Sequence, residues 1–138
     1  MDRLFLDANV LFSAAWRKDA GVVRLWELPG VELVTSSFAI EEARRNLSGD
    51  ERLARLESLV DRMRVVPASI PDPESRGDIE LAEKDWPILG GAVAAGATHL
   101  ITGDARDFGR WFGRKVLGIL IVPPAAYLRS ASSPDLHS

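Results

Sequence analysis

Two apolar runs in this chain end in acid. "RLFLDANVL" (residues 3–11) closes on Asp7, and "THLITGDARDF" (98–108) closes on Asp104, with Asp107 three positions further on. Carboxylates brought within a few ångströms repel, and each raises the other's pKa. A folded chain tolerates such a cluster if a divalent cation neutralises it. Hard oxygen ligands without His or Cys suit Mg²⁺ or Mn²⁺ rather than zinc. The chain has no cysteine, so disulfides, thiolate nucleophiles and zinc–thiolate sites are excluded. His99, at a strand start, and His137, near the end of the chain, are not candidates for chemistry.

Each acid also has a local, non-chemical role open to it. Asp is a good N-cap, and "DANVL" can simply start a helix after Asp7. Asn9 is a capping or turn residue, or it orients Asp7. Asp104 and Asp107 can form a turn with Gly103 supplying the positive φ, but the recurrence of the pattern at Asp7 favours a cation site. Glu41 and Glu42 project about 100° apart on a helix, so at most one faces a crevice. Glu41 has Arg44 and Arg45 within ion-pair reach. Glu42 lies beside the apolar stripe of Ile40, Ala43 and Leu47, and on these residues alone it is a surface group. Asp85, in "DWP", is a good helix start with Pro87 in the first turn. The helix it opens, "ILGGAVAAG", is small-sided enough to press close on a sheet and bring its N-terminal end to the crevice.

The elements that must position these acids alternate. Leu4 to Leu6 are expected as a first strand, followed by a helix from Val10 to Leu28 with a possible break near Gly21. Val31 to Val34 form a second strand. Ser36 or Ser37 caps a helix to about Leu47, and "SGD" separates it from another over Glu51 to Arg62, whose Leu53, Leu56, Leu59, Val60 and Met63 keep helical spacing. Arg64 to Val66 is a short third strand, and "PASIPDPESRGD" a Pro-rich loop. The Asp85 helix ends near Gly96, a C′ glycine. His99 to Thr102 and Gly118 to Val122 complete the sheet, "PPAAYL" begins a last turn of helix, and the tail from 129 to 138 is expected to be flexible. This alternation specifies an α/β domain over residues 1–128, a three-layer α/β/α sandwich around a mostly parallel sheet. Ligands of such sheets bind at the carboxyl ends of the strands, where strand order reverses. If the first and fourth strands are neighbours, Asp7 and Asp104 meet there.

With 138 residues, 46% of them hydrophobic and 27% charged, the chain has the make-up of one soluble globular domain. Its net charge of −3 provides no global field for a polyanion, which must be held by local arginines or by metal. No charged leader and no apolar stretch of membrane-spanning length stand out, which points to the cytoplasm and away from the membrane.

"FLDANVLFSA", "VTSSFAIEEARRNL", "DWPILGGAVAAGATHLITGDARDF" and "GILIVPPAAYL", in that order and spacing, resemble a PIN domain over nearly the whole chain. The likeness is to small stand-alone PIN-domain ribonucleases of the VapC-like toxin type. It implies that Asp7, Glu42, Asp85 and Asp104 are the catalytic acids. Glu42 is preferred to Glu41 because a leucine follows five positions on. It implies metal ligation by Asp7, Asp85, Asp104 and the more variable Asp107, with Asn9 and Thr102 as supporting polar residues. The implied activity is a Mg²⁺- or Mn²⁺-dependent endoribonuclease leaving 5′-phosphate and 3′-hydroxyl ends, in a homodimer, with a separate antitoxin protein as partner. Such a centre activates a water, aligns it and stabilises the leaving oxygen without a His base. Arg106 and Arg110 flank the acid loop and are the expected phosphate contacts. Trp111 and Phe112 are expected to pack under that loop rather than stack on bases.

Two other readings compete. A haloacid-dehalogenase-like phosphatase also uses an aspartate after its first strand, but Asn9 stands where that class has a second Asp, and Glu42 and Asp85 are left unexplained. A catalytically silent PIN-like module that binds RNA or protein would be favoured by a missing acid, and none is missing. No G-x-G-x-x-G follows the first strand, which excludes a dinucleotide-binding domain.

Overall fold

In the computed structural model the apolar runs form a six-stranded sheet: β1 (Asp2–Leu6), β2 (Val31–Ser36), β3 (Arg64–Val66), β4 (His99–Ile101), β5 (Lys115–Val116) and β6 (Ile119–Val122), in the order β3-β2-β1-β4-β6-β5. Residues 1–132 are described. Every neighbouring pair is parallel except β5–β6. Helices α1 (Ala8–Trp16), α2 (Ser37–Asn46), α3 (Asp50–Val60), α4 (Trp86–Ala94), α5 (Ala105–Phe108) and α6 (Pro124–Ser132) complete a three-layer α/β/α sandwich. Leu4, Phe5, Leu6, Val34, Leu100 and Ile101 have no exposed surface, as expected where helices cover both faces of parallel strands. Each such side chain contributes about 1.5–3 kcal/mol by leaving water. Chain order reverses at β1, which has β2 on one side and β4 on the other. Asp7 follows β1 and Asp104 follows the adjacent β4, so both emerge at the switch point.

The helices begin and end for local reasons. Ser36 is the cap of α2, its Oγ accepting from Ala39 N at 3.2 Å. Gly96 ends α4 with φ +66°, and the bonds Gly96 N to Val93 O and Ala97 N to Ala92 O close a Schellman motif. Gly91 lets α4 settle on the sheet: a Cβ there would stand 2.9 Å from the Phe5 ring. The Pro-rich loop after β3 lies against the same helix, and Arg76 fastens it there. Its guanidinium stacks 4.4 Å from the Trp86 ring centre and its Nε donates to Pro71 O.

Three expectations need correction. The helix expected over 10–28 stops at Trp16, where Arg17 turns extended, and the chain resumes as a 3₁₀ turn over Gly21–Glu27 that buries Leu25 and Trp26. The break expected near Gly21 thus falls just before it, at residues 17–20. Arg55 and Arg52 of α3 donate to Ala15 O and Trp16 O, at 2.8 and 2.9 Å, closing the end of α1. That is a structural use, since α1 has no basic residue in its own last turn. The strand expected over 118–122 is β6 and begins at Ile119. It is preceded by β5, with Leu117 and Gly118 at φ 52° and 81° forming the two-residue hairpin turn between them. Finally, α6 continues to Ser132, past the expected boundary at 128. It is anchored by Tyr127, whose hydroxyl donates to Asp2 Oδ2 at 2.6 Å. The rest of the expected tail, 133–138, lies outside the described residues. Among the described residues no helix is long and apolar enough to cross a membrane.

Candidate metal centre

The end of β1 is tied to the end of β4 by a small polar net. Asp7 caps α1, its Oδ1 accepting from Ala8 N at 2.6 Å. Its Oδ2 accepts from Thr102 Oγ1 at 2.8 Å and from Asn9 Nδ2 at 3.0 Å. Asn9 Oδ1 in turn accepts from Gly103 N at 2.8 Å, and the Thr102 hydroxyl accepts from Asp104 N at 3.1 Å. Asn9 and Thr102 thus hold Asp7 and the Asp104 loop in register. Capping occupies one oxygen of Asp7, and the residue also lines a cleft. That cleft is also lined by Glu42, Asp85, Asp104 and Lys84, with Phe12 and Ile88 as apolar walls.

Asp7 is only 5% exposed, and burial pushes its carboxyl up to about 6, with nearby Asp104 and Glu42 adding to the rise while hydrogen bonds from Thr102 and Ala8 oppose it. An acid raised from 3.8 in this way keeps its proton in the folded state longer than in the unfolded one. The cost is absent below the unfolded value and is fully developed once pH has risen through the folded value. Without metal, wild type should lose stability relative to Asp7→Asn by roughly 2–2.5 kcal/mol between pH 4 and pH 7. Urea unfolding of both proteins in EDTA across that range measures it. A pH-independent difference would mean that the Asp7 carboxyl is not held protonated by its surroundings.

Asp85, Asp104 and Asp107 each place an oxygen within 4.8 Å of the others. Asp104 caps α5, its Oδ1 accepting from Asp107 N at 3.0 Å, so the turn expected there forms, but Gly103 does not take the positive φ expected of it. Asp85 does not fit its expected capping role. It stands at the N-cap of α4, yet its side chain makes no capping bond. It is 7% exposed, and its Oδ2 is buried without a hydrogen-bond partner. Burial raises the Asp85 carboxyl, as does the neighbouring Asp107 carboxylate, while Lys84 lowers Asp107 by ion-pairing with it at 2.9 Å. A buried carboxylate oxygen without a donor is costly alone and is what a hard cation would satisfy. The donor set therefore fits Mg²⁺ or Mn²⁺.

Glu42 is half-buried on the cleft wall, one helical turn from Asn46, whereas Glu41 is exposed and pairs with Arg44 at 3.0 Å. Arg106 and Arg110 are both exposed and neither lines the cleft. Arg110 pairs with Glu80 at 3.1 Å and lies 5.1 Å from the Trp111 ring centre. Trp111 and Phe112 are half-buried against the core, under the loop. Sequence reasoning missed Lys84 and Asn46 as cleft residues. Position 84 borders Asp85, the available signal for Lys84, while Asn46 stands four residues after Glu42 on the same helix face.

Neither a protein-family model nor a curated protein matches the chain by sequence. Solved structures do match it by shape. A chain of VapBC from Salmonella typhimurium, bound to DNA, shares 21% identity at TM-score 0.63, covering 90% of this chain and 99% of that one. VapBC2 from Rickettsia felis, bound to a DNA fragment from their promoter, gives 15% and 0.62 over 88% and 98%. VapBC-1 from nontypeable Haemophilus influenzae gives 17% and 0.55 over 89% and 98%. This chain has a PIN-like fold. Asp7 and Asp104 stand at the carboxyl ends of β1 and β4 of that sheet.

Proposed function

We propose that the chain is a divalent-metal-dependent endoribonuclease and the toxin half of a toxin–antitoxin pair. The observation that carries the nuclease reading is the meeting of Asp7, Glu42, Asp85 and Asp104, from four separate segments, around one cleft. The buried, unpartnered Oδ2 of Asp85 supports a cation there. The antitoxin partner is supported by the sequence resemblance and by the VapBC origin of the structures that share the fold.

Asp85, Asp104 and Asp107 would hold the ion, with Asp7 as the further ligand of the set. A bound Mg²⁺ or Mn²⁺ supplies Lewis-acid stabilisation of the phosphate and lowers the pKa of the attacking water. The chain's own residues do the rest. Asn9 and Thr102 fix the Asp7 carboxylate by both donating to its Oδ2. Glu42, which lines the same cleft, would orient the water and take its proton. Phe12 and Ile88 give the cleft an apolar wall, against which a charge interaction is stronger than in open water.

The test is a labelled single-stranded RNA incubated with the protein in Mn²⁺ and in EDTA, beside an aryl phosphate. Cleavage in Mn²⁺ alone, leaving 5′-phosphate ends, is the expected result. Release of aryl phosphate without RNA cleavage would make the phosphatase reading the better one. Mg²⁺ or Mn²⁺ at millimolar levels should also raise the melting temperature of wild type, and less so that of Asp7→Asn. Equal shifts would place the ion elsewhere.

A further inference from the structure

A cleft walled by carboxylates repels the phosphate it is proposed to cut, so the chain must supply a cation of its own. Among the described residues lining the cleft, Lys84 is the one with a cationic side chain. Its Nζ stands 2.9 Å from Asp107 Oδ2, one of the three clustered carboxylates. The two partners differ in freedom: the Lys84 side chain is 70% exposed and that of Asp107 15%. An ion pair this open on one side contributes little, so the lysine is held in place only weakly. Neither Arg106 nor Arg110 of the acid loop lines the cleft, and Arg110 is paired with Glu80. The buried and unpartnered Oδ2 of Asp85, beside the same cluster, marks where a stronger cation would go.

We propose that Lys84 is the phosphate-holding residue of this site. It rests on Asp107 until a divalent ion takes that carboxylate, and then turns to an RNA phosphate. The inference rests on the metal-dependent nuclease reading. A hard divalent ion competes well for an oxygen that an exposed ammonium holds loosely. Displaced from Asp107, the ammonium finds its next anion in the incoming backbone, and a flexible point charge suits a phosphate whose position is set elsewhere.

The experiment is fluorescence anisotropy of a short labelled single-stranded RNA over a salt series, with Ca²⁺ and with EDTA. In Ca²⁺, Lys84→Met should bind about tenfold more weakly than wild type, and its slope of log K against log salt should fall by about 0.7, one phosphate contact on a single strand. Lys84→Arg should keep most of the affinity. In EDTA, wild type and Lys84→Met should bind equally weakly. Asp107→Asn should bind more tightly than wild type in EDTA, a gain that the Lys84→Met/Asp107→Asn double variant loses. Lys84→Met with unchanged affinity and slope in Ca²⁺ overturns the proposal while leaving the nuclease reading intact. A tight Asp107→Asn/Lys84→Met variant in EDTA overturns the resting position on Asp107. Wild type that neither binds RNA in Ca²⁺ nor cuts it in Mn²⁺ overturns the nuclease reading and this inference with it.

Discussion

Asn in place of Asp104 is expected to keep the fold and to lower RNA cleavage by on the order of a hundredfold or more, equivalent to roughly 3 kcal/mol of barrier. The structural work of Asp104 is done by one oxygen, which caps α5 by accepting from Asp107 N. Asn is nearly isosteric and keeps that oxygen. The backbone bond from Asp104 N to Thr102 Oγ1 is also untouched. What Asn removes is the charge, and a neutral amide holds a hard cation far more weakly than a carboxylate does. Glu41→Gln is the control: it breaks an exposed pair with Arg44 and should be nearly silent. Single-turnover cleavage of labelled RNA in Mn²⁺, with circular dichroism as the folding check, decides it. If folded Asp104→Asn still cuts RNA at the wild-type rate, the aspartates of "TGDARD" are only a turn. Loss of cleavage with RNA binding intact in wild type as well would instead favour the silent module.

The parts of the site visible in the sequence are those fixed by strand ends. A buried run such as Leu4 to Leu6 or His99 to Ile101 can end in acid in only one place on a parallel sheet, so the neighbourhood of Asp7 and Asp104 follows once β1 and β4 are adjacent. The Ala/Gly composition of α4 likewise showed that it packs closely. Glu42 was harder, because a helix acid beside an apolar stripe looks like any surface glutamate. It took the family pattern to choose it over Glu41. Lys84 had only its place beside Asp85 to point to it. A lysine next to an aspartate carries no period and no motif, and only the fold shows that it enters the same cleft. The short strand β5 was missed for a related reason: a two-residue strand is too short to show alternation.

Gly90→Ala should destabilise the protein by about 1–3 kcal/mol, although alanine inside a helix ordinarily gains up to about 1 kcal/mol over glycine. The sign reverses because of what lies against α4. A Cβ at position 90 would stand 2.1 Å from Ser69 O, 2.9 Å from Ser69 C and 2.8 Å from Pro71 Cδ. Two of those atoms are backbone and the third is a proline ring, so no rotamer change relieves the clash. Either the Pro-rich loop withdraws or α4 shifts. The loop is fastened by Arg76 to Trp86, the first residue of α4, so movement at one end of the contact is felt at Asp85, which precedes it. Thermal melts should therefore drop by several degrees, and the rise in melting temperature with Mn²⁺ should shrink in the same protein. Gly21→Ala is the matched control: an added Cβ there meets nothing within 4 Å, and its stability should stay near wild type. A Gly90→Ala protein as stable as wild type would mean that the Pro-rich loop does not rest on this helix in solution. The pattern also separates support from chemistry. Asp104→Asn should lose cleavage without losing stability, whereas Gly90→Ala should lose both together, because its effect reaches the centre only through the position of α4.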